Sequence, residues 1–522
     1  MKNIRTEFLY FLPMTLLAFI VMFIYTRSSP LYFTNNSVDA NAYMTMGKGI
    51  IHGLTPYKDL FEQKGPVLYY LHALAYLIYP NTFYGIYIFQ SIAMALTMIF
   101  FYKIARLFVS KLYAYLFSFF LPAIILNIAY FEMGDSAEEF AIPCVMFLIY
   151  SVLSSMNNNE FAFSKRTLFI HGALLACTFW TKYTLIGAWV GFFSFYGIYL
   201  LWKKQFSTFL QTFIISLAGF FLVSLLVLAY FGINHALGDL YEVYFKFNMT
   251  SYPNNTNILI RIAQSFGFLL LFFDRYIGLL FLIGIVLIFF CNRKKGYHIV
   301  SILFIAVFFA TGFCQYLVNK YYSYYFLIIV PFTTIGLIGL AWQLEQIVVF
   351  KEKYRRIIFL SAAFAAIVLP FYHNDNPLYS RLFPGNSDQI VKSPMNSNQH
   401  SSLSAQREFA KIINKVPNAT LLNYGFLDCG FYLAADIVPN MRYFIKLNID
   451  DELYPEMQRA QEEYIKEKKV DFVVVVEDHY KHTCFLDENY RLVAVHLQTR
   501  EKAVERAKKK VEKYLLFQRI EE

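Results

Sequence analysis

Charged side chains recur at the ends of the apolar segments of this 522-residue chain. The stretch SVDANAYMTMGKGIIHGLTPYKDLFEQKGPVLYYLHAL contains six of them, and Asp39, Glu62 and Lys64 are the candidates for chemistry. A carboxylate could act as a general base towards a hydroxyl group. A basic side chain could neutralise negative charge that develops on a leaving group. The full set of candidates is Asp39, Glu62, Lys64, Asp135, Glu138, Glu139, Lys182, Arg275 and Lys320.

The composition indicates a polytopic membrane protein. Hydrophobic residues make up 57% of the chain and aromatic residues 20%, and the mean hydropathy is +0.43. Soluble domains average about 45–50% apolar residues, and here the excess lies in long runs. The net charge is +10. Basic loops on the cytoplasmic side of a membrane account for much of that charge, so no nucleic-acid partner is expected.

The apolar runs predict a mainly α fold with about 11 transmembrane helices. The run from Phe8 to Tyr25 lacks a small-x-small cleavage site and is interpreted as a retained first span. The run from Pro66 to Pro80 is shorter than the roughly 20 residues that a crossing needs, so we expect an interfacial helix there. The later predicted spans lie near residues 84–105, 112–131, 140–155, 167–181, 184–202, 206–231, 276–291, 299–316, 323–342 and 357–372.

The distribution of basic residues predicts the orientation. If the N-terminus lies in the cytoplasm, about 11 spans, one per apolar run, place all five Lys/Arg-rich loops on the cytoplasmic side. An extra crossing at 66–80 would place these loops on the outer side instead. The chain is thus predicted to be a multi-pass protein of the cell membrane with an extracellular C-terminal domain. The basic loops contain Arg106, Lys165, Lys203, Arg293 and Lys351.

The last third of the chain has a different character. Residues 373–405 are polar and rich in Pro, Asn and Ser, which is typical of a linker. Beyond it, ATLLNYG, VDFVVVVE and YRLVAVHL predict strands, with a helix near 452–468. We therefore predict a transmembrane domain over 1–372, a linker over 373–405 and a small extracytoplasmic α/β domain over 406–522.

Single candidates also have structural interpretations. Asp39 could be the N-cap of the helix ANAYMTMGKGII. Glu138 could stabilise the N-terminus of the span that begins at Phe140. Lys320, in QYLVNKYYSYYF, could be a lysine that extends to the interface from an aromatic belt. Charges at membrane depth are nevertheless costly and tend to mark functional sites, and this set gathers on one predicted face.

Three stretches resemble the GT-C membrane glycosyltransferases, in the branch that contains protein O-mannosyltransferase-like and aminoarabinose transferase-like enzymes. VDANAYMTMGKGIIHGLTPYKDLFEQKGPVLYYLHAL resembles their first external loop, GDSAEEFAIPCVMFLIY the second, and ACTFWTKYTLIGAWVG an internal turn. The resemblance covers roughly residues 1–372, and the tail looks like the external domain of Gram-positive members. One departure is Gly65, where many relatives have proline.

The resemblance implies transfer of a sugar from a polyprenyl-phosphate carrier to an extracytoplasmic acceptor, with inversion if displacement is direct. It implies that Asp39 is the catalytic base. It also implies that Glu138 is the acidic residue that matches the family pattern in the second external loop. Basic groups would bind the lipid phosphate, with Glu62, Asp135 and Glu139 in support. An Asp39/Glu138 pair could hold a divalent metal ion as a cofactor. The predicted phosphate-binding residues are Lys64, Lys182, Arg275 and Lys320.

Two other classes of protein remain alternatives. A transporter or flippase of lipid-linked sugars typically has charges within its spans and internal repeats, and neither is visible here. A scaffold with an external binding domain would not require the set of Asp39, Lys64 and Glu138. A cell-wall polymer, teichoic acid or surface glycan is favoured as acceptor over a protein, which stays an alternative. The sequence does not identify the sugar.

Overall fold

The computed structural model describes residues 2–32, 35, 37–157, 161–252, 257–274, 277–291, 297–318, 320–347, 355–373, 404–480, 484–500 and 510–521. The chain packs as two compact units. The first unit comprises Met1–Tyr25, Ile88–Ala229 and Pro253–Asp375. The second unit comprises Thr26–Tyr87, Tyr230–Tyr252 and Asn376–Glu522.

The first unit is built from long apolar helices. Helices Lys165–Thr181 and Phe206–Ile233 can approach closely because Gly172 has no side chain. A Cβ on Gly172 would lie only 1.8 Å from the Ser216 carbonyl oxygen. Small residues that let helix backbones approach are a common device in membrane proteins. The helices that lie wholly or mainly in this unit are Lys2–Tyr25, Tyr84–Ala105, Lys111–Ile125, Ile128–Phe131, Ala137–Asn157, Lys165–Thr181, Gly187–Trp202, Phe206–Ile233, Ile258–Asp274, Ile277–Gly284, Tyr297–Tyr316, Val330–Ile347 and Arg355–His373. Short 3₁₀ or π segments are Tyr183–Ile186, Ile285–Cys291 and Ser323–Ile328.

Five helices in the described part of the chain have the length and apolar composition that a membrane crossing needs. They are Tyr84–Ala105, Ala137–Met156, Tyr183–Trp202, Phe206–Ile233 and Ile299–Tyr316. Several other apolar helices are shorter, and Pro66–Ile78 is one of them. The mainly helical fold class is confirmed, whereas the orientation of the spans stays a prediction.

The helix Ile258–Asp274 was not predicted, since it lies between the predicted spans 206–231 and 276–291. Arg261 and Gln264 interrupt its apolar run. In the structure, Arg261 Nε donates a hydrogen bond to the Leu317 carbonyl at 2.8 Å, so the helix can include this charged residue. The predicted span 112–131 is also shorter, since its main helix ends at Ile125.

The second unit contains the first loop helices together with the C-terminal sheet. Helices Val38–Ile51 and Pro66–Ile78 pack backbone to backbone, since a Cβ on Gly47 would lie 2.5 Å from the carbonyl carbon of His72. Pro66 begins its helix, as is common for proline at this position. The other helices are Leu237–Leu240, Asn248–Thr250, Ala405–Ile413, Phe431–Ala434, Pro455–Lys466, Glu477–Tyr480 and Cys484–Asn489, with a π segment at Tyr241–Phe247.

The C-terminal sheet has four strands in the described residues: β1 (Leu421–Tyr424), β2 (Phe472–Val476), β3 (Tyr490–Arg500) and β4 (Lys510–Arg519). Their order is β1-β2-β4-β3, with β1 and β2 parallel and the other pairs antiparallel. The three predicted strands are present, and β4 was not predicted. The domain boundaries 1–372, 373–405 and 406–522 stay a prediction.

Candidate active site

Asp39 lies in the first turn of helix Val38–Ile51 but does not cap it. The N-cap is Ser37, whose hydroxyl accepts a hydrogen bond from the Ala40 amide at 3.3 Å, so the cap interpretation of Asp39 is wrong. The Asp39 carboxylate instead accepts a hydrogen bond from the Tyr43 hydroxyl at 3.2 Å. Its Oδ2 lies 3.8 Å from Lys64 Nζ, and the Asp39 side chain is 33% exposed. This carboxylate is thus accessible and beside a cation.

The turn before helix Pro66–Ile78 positions Lys64 through backbone contacts. The Glu62 carboxylate accepts hydrogen bonds from the Lys64 amide at 2.9 Å and from the Tyr69 hydroxyl. The Tyr57 hydroxyl donates to the Lys64 carbonyl at 2.6 Å. Burial by itself lowers the pKa of the Lys64 ammonium, but the charges of Asp39 and other neighbours outweigh it and hold that pKa well above its usual range. These neighbours therefore favour the protonated form of Lys64.

Glu138 and Lys182 form a second cluster, in the first unit. Glu138 Oε1 accepts hydrogen bonds from Lys182 Nζ at 2.5 Å and from Gln315 Nε2 at 2.7 Å. Lys182 Nζ also lies 3.7 Å from the centroid of the Tyr325 ring, and the Thr184 hydroxyl donates to Gln315 at 3.0 Å. Among the described residues, Glu138 Oε2 is buried and has no hydrogen-bond partner. Glu138 lies in the first turn of helix Ala137–Asn157, where its charge can also stabilise the helix N-terminus.

The other predicted site residues have mainly structural contacts or lie outside the description. Glu139 accepts hydrogen bonds from the Asp135 amide at 2.8 Å and from Gln90 at 2.9 Å, which fixes the turn before helix Ala137–Asn157. Asp135 has a left-handed backbone, with φ of 65°. Lys320 is buried. Arg275 lies outside the described residues.

The structure thus brings Asp39 together with Lys64, and Glu138 together with Lys182. The first pair belongs to the second unit and the second pair to the first unit. Sequence reasoning missed Tyr43, Gln315 and Tyr325 as partners. The spacing of four residues between Asp39 and Tyr43, which puts both on one helix face, was the available signal.

A divalent metal ion does not fit the contacts of either cluster. Each carboxylate has a lysine as neighbour, which is unlike the oxygen-rich shell that hard cations require. Over the described ranges, no group of three or more His, Cys, Asp or Glu residues is arranged to hold a metal ion. A metal ion shared by Asp39 and Glu138 stays a prediction.

Comparisons with known proteins support the fold. The structure resembles crystal structures of ArnT from Cupriavidus metallidurans. The form bound to undecaprenyl phosphate has 10% sequence identity and a TM-score of 0.61, and the match covers 98% of both chains. The apo form has 12% identity and a TM-score of 0.56, again with 98% of both chains covered. Residues 63–233 match the family model of dolichyl-phosphate-mannose-protein mannosyltransferases. A comparison with curated proteins finds no match.

These matches show which proteins the chain resembles. The ArnT likeness over nearly the whole length shows a shared fold, and the resemblance to the GT-C superfamily of membrane glycosyltransferases is confirmed. More narrowly, the matched mannosyltransferase segment contains Lys64, Glu138 and Lys182 but begins after Asp39.

Proposed function

We propose that this protein transfers a sugar from a polyprenyl-phosphate donor to a hydroxyl group of an extracytoplasmic acceptor. The observation that carries the proposal is the Asp39–Lys64 pair, 3.8 Å apart, in which the carboxylate is one-third exposed and the ammonium is nearly buried. Displacement of a lipid phosphate by an alcohol requires a base for the alcohol and a cation for the phosphate, and this pair supplies one of each.

In the proposed reaction, Asp39 takes the proton of the acceptor hydroxyl as its oxygen bonds to the anomeric carbon. The bond between that carbon and the phosphate oxygen breaks, and its electron pair leaves with the polyprenyl phosphate. Lys64 stabilises the negative charge that develops on this phosphate. A single displacement of this kind inverts the anomeric configuration.

The nature of the donor and acceptor belongs to the proposal. The ArnT crystal structure contains undecaprenyl phosphate, which supports a polyprenyl phosphate as the carrier here. The acceptor is proposed to be a cell-wall polymer, teichoic acid, surface glycan or protein outside the cell membrane. Lys182, Arg275 and Lys320 are proposed to assist Lys64 in binding the phosphate, and Glu138 to assist Asp39.

The decisive experiment separates glycosyl transfer from lipid transport. Purified protein in liposomes is given a polyprenyl-phosphate sugar with a radiolabel in the sugar, together with a cell-envelope extract as acceptor. We expect label to pass into the acceptor fraction and free polyprenyl phosphate to form in equal amount. The exposed-site variant Glu242→Gln, whose side chain is 57% exposed, serves as the control and should behave as wild type. Movement of intact labelled lipid between leaflets, without product, would instead identify a flippase.

A further inference from the structure

Helix Val38–Ile51 carries two polar faces. Asp39 and Tyr43, four residues apart, contact each other on one face. Asn41, Thr45 and Lys48 follow at spacings of four and three residues, so they form a second stripe along the same helix. All three residues of this second stripe are buried. Since buried polar groups need partners, the second stripe must be satisfied by another part of the chain.

Asn41 Nδ2 donates locally, to the Asn35 and Ser37 carbonyls. Thr45 and Lys48 instead find partners in the C-terminal domain, which belongs to the same unit. The Thr45 hydroxyl donates a hydrogen bond to Asp428 Oδ2 at 2.6 Å. Asp428 is itself fully buried, and its Oδ1 accepts from the Gly430 amide at 2.8 Å. One turn further, Lys48 Nζ lies 2.6 Å from Asp436 Oδ1 and 2.9 Å from Asn81 Oδ1.

The loop that holds Lys64 has its own contact with the same domain. The Phe61 amide, three residues before Lys64, donates a hydrogen bond to the Arg442 carbonyl at 2.8 Å. The Phe61 ring stacks on Tyr454, with centroids 5.6 Å apart and planes inclined by 24°. The C-terminal domain therefore contacts both the helix that contains Asp39 and the turn that contains Lys64.

Close approach at Gly430 makes this contact specific. Gly430 has φ of 89°, a conformation that favours glycine, and a Cβ there would lie 2.8 Å from Asn41 Oδ1. The Lys48 side chain is 0% exposed in its ion pair. Because a buried charge gains little net stability from pairing, such a pair is better suited to fixing the placement of two elements than to holding a fold together.

We propose that Asp428, Asp436 and Arg442 form a clamp that positions Asp39 against Lys64, so that the C-terminal domain is a positioning component of the active site. This inference rests on the proposed function. The clamp residues are positioning residues, since they act through Thr45, Lys48 and the Phe61 backbone. A misplacement of about 1 Å can cost about 10²-fold in rate, so a loosened clamp should lower kcat.

Two variants test the clamp from opposite sides. Asp436→Asn removes the negative charge beside the buried Lys48 ammonium but keeps hydrogen-bond acceptors for it. The new amide oxygen and Asn81 Oδ1, 2.9 Å from Lys48 Nζ, can both accept, and the side chain at 436 is 66% exposed, so we expect the C-terminal domain to fold. Thr45→Val keeps the side-chain shape and removes the hydrogen bond to Asp428. The matched control is Asp451→Asn in the same domain. It breaks the 2.7 Å ion pair between Lys446 and Asp451, and the Asp451 side chain is 53% exposed.

We expect kcat to fall about tenfold or more in Asp436→Asn and in Thr45→Val, with donor KM within about twofold of wild type. The control should retain wild-type kcat. Hydrogen–deuterium exchange should increase within Val38–Ile51 and residues 61–64 and stay unchanged in β1 and β2. The exchange measurement does not depend on any activity, so it tests the clamp even if the proposed function fails. Unchanged exchange in both variants, or exchange that rises throughout the domain, would overturn the clamp.

Discussion

Glu138 Oε1 lies 2.5 Å from Lys182 Nζ, and the two side chains are only 0% and 8% exposed. Gln315 completes the hydrogen bonding of the same oxygen. Lys182 is thus already charge-compensated, and a lipid phosphate would have to compete with Glu138 for it. The Asp39–Lys64 pair is longer, at 3.8 Å, and more open. Of the two lysines, Lys64 is therefore the one held less closely by its carboxylate partner.

The Glu138–Lys182 pair should show strong coupling between its two members. Glu138→Gln leaves an uncompensated buried ammonium, and breaking a buried pair in this way costs about 3–5 kcal/mol. We expect Glu138→Gln and Lys182→Met each to lower the melting temperature in detergent, and the double variant to regain most of the loss. The exposed Glu242–Lys246 pair, 2.7 Å long, is the control, and its loss should cost less than about 0.5 kcal/mol. Additive losses in the double variant would contradict the coupling.

Lys64 should matter for donor use rather than for folding. Its turn is held through the backbone amide and carbonyl, which any substitution retains. A charge-assisted contact with phosphate contributes about 1.5–3 kcal/mol, so Lys64→Ala should weaken donor kcat/KM by at least about tenfold. Lys64→Arg should restore part of it, because the arginine fork is not equivalent to an ammonium. Lys58→Ala, which removes an exposed lysine of the same loop, is the control. Unchanged donor kinetics in Lys64→Ala would exclude Lys64 from the phosphate pocket.

The candidates Asp39, Lys64 and Glu138 could be predicted because their signals are local. Each is a charge at the edge of an apolar run. Such charges are energetically costly there and tend to mark functional sites. Their partners could not be predicted in this way. Thr45 and Asp428 are 383 residues apart in the chain, and Glu138 and Gln315 are 177 apart. No periodicity connects such positions.

The elements that sequence reasoning missed have a common physical cause. Helix Ile258–Asp274 includes Arg261, and strand β4 has lysines at 510 and 513 near its start. Charged residues interrupt the apolar pattern that predicts each element. Contacts elsewhere in the fold offset this, since Arg261 bonds to the Leu317 carbonyl and Lys513 pairs with Glu477 at 2.5 Å. Tertiary contacts thus override the local pattern.

The predicted orientation can be tested by labelling. In a background without native cysteines, a single cysteine in the linker 373–405 should react with a membrane-impermeant thiol reagent in intact cells. Lys203→Cys, in a predicted cytoplasmic loop, should react only after the membrane is permeabilised. The reason is the bias of Lys and Arg towards cytoplasmic loops. Labelling of Lys203→Cys but not of the linker in intact cells would reverse the topology.

Asp428 should make the stability of the second unit depend on pH. Burial raises the pKa of its carboxyl from 3.8 to about 6, although the hydrogen bonds from Thr45 and Gly430 act in the other direction. The folded state therefore binds this proton more tightly than the unfolded state. The stabilisation is fully present below about pH 4 and is lost as the pH rises through about 6. The difference between the two pKa values corresponds to about 3 kcal/mol.

Asp428→Asn mimics the protonated carboxyl and checks this prediction. The melting temperature of wild type minus that of Asp428→Asn should fall as the pH rises from about 4 to 6 and level off above it. Intrinsic fluorescence in detergent between pH 4 and 8 provides the measurement, and Asp451→Asn controls for the loss of a carboxylate from the same domain. A melting-temperature difference that stays constant between pH 4 and 8 would show that Asp428 does not cause the pH dependence.

Asp39→Asn is the most direct test of the proposed chemistry. Asparagine keeps the size of the side chain and can still accept a hydrogen bond from Tyr43, but it cannot take a proton from the acceptor. A general base typically contributes about 10²–10⁴-fold in rate, so kcat for sugar transfer should fall by that factor at an unchanged melting temperature. Asp451→Asn is the matched control. It removes an exposed carboxylate of the same unit, outside the helix that carries Asp39, and should leave kcat and stability near those of wild type. The measurement is transfer from a synthetic polyprenyl-phosphate sugar by the purified proteins. Near-normal turnover by Asp39→Asn would assign the base elsewhere, with Glu138 and Asp135 as the next candidates.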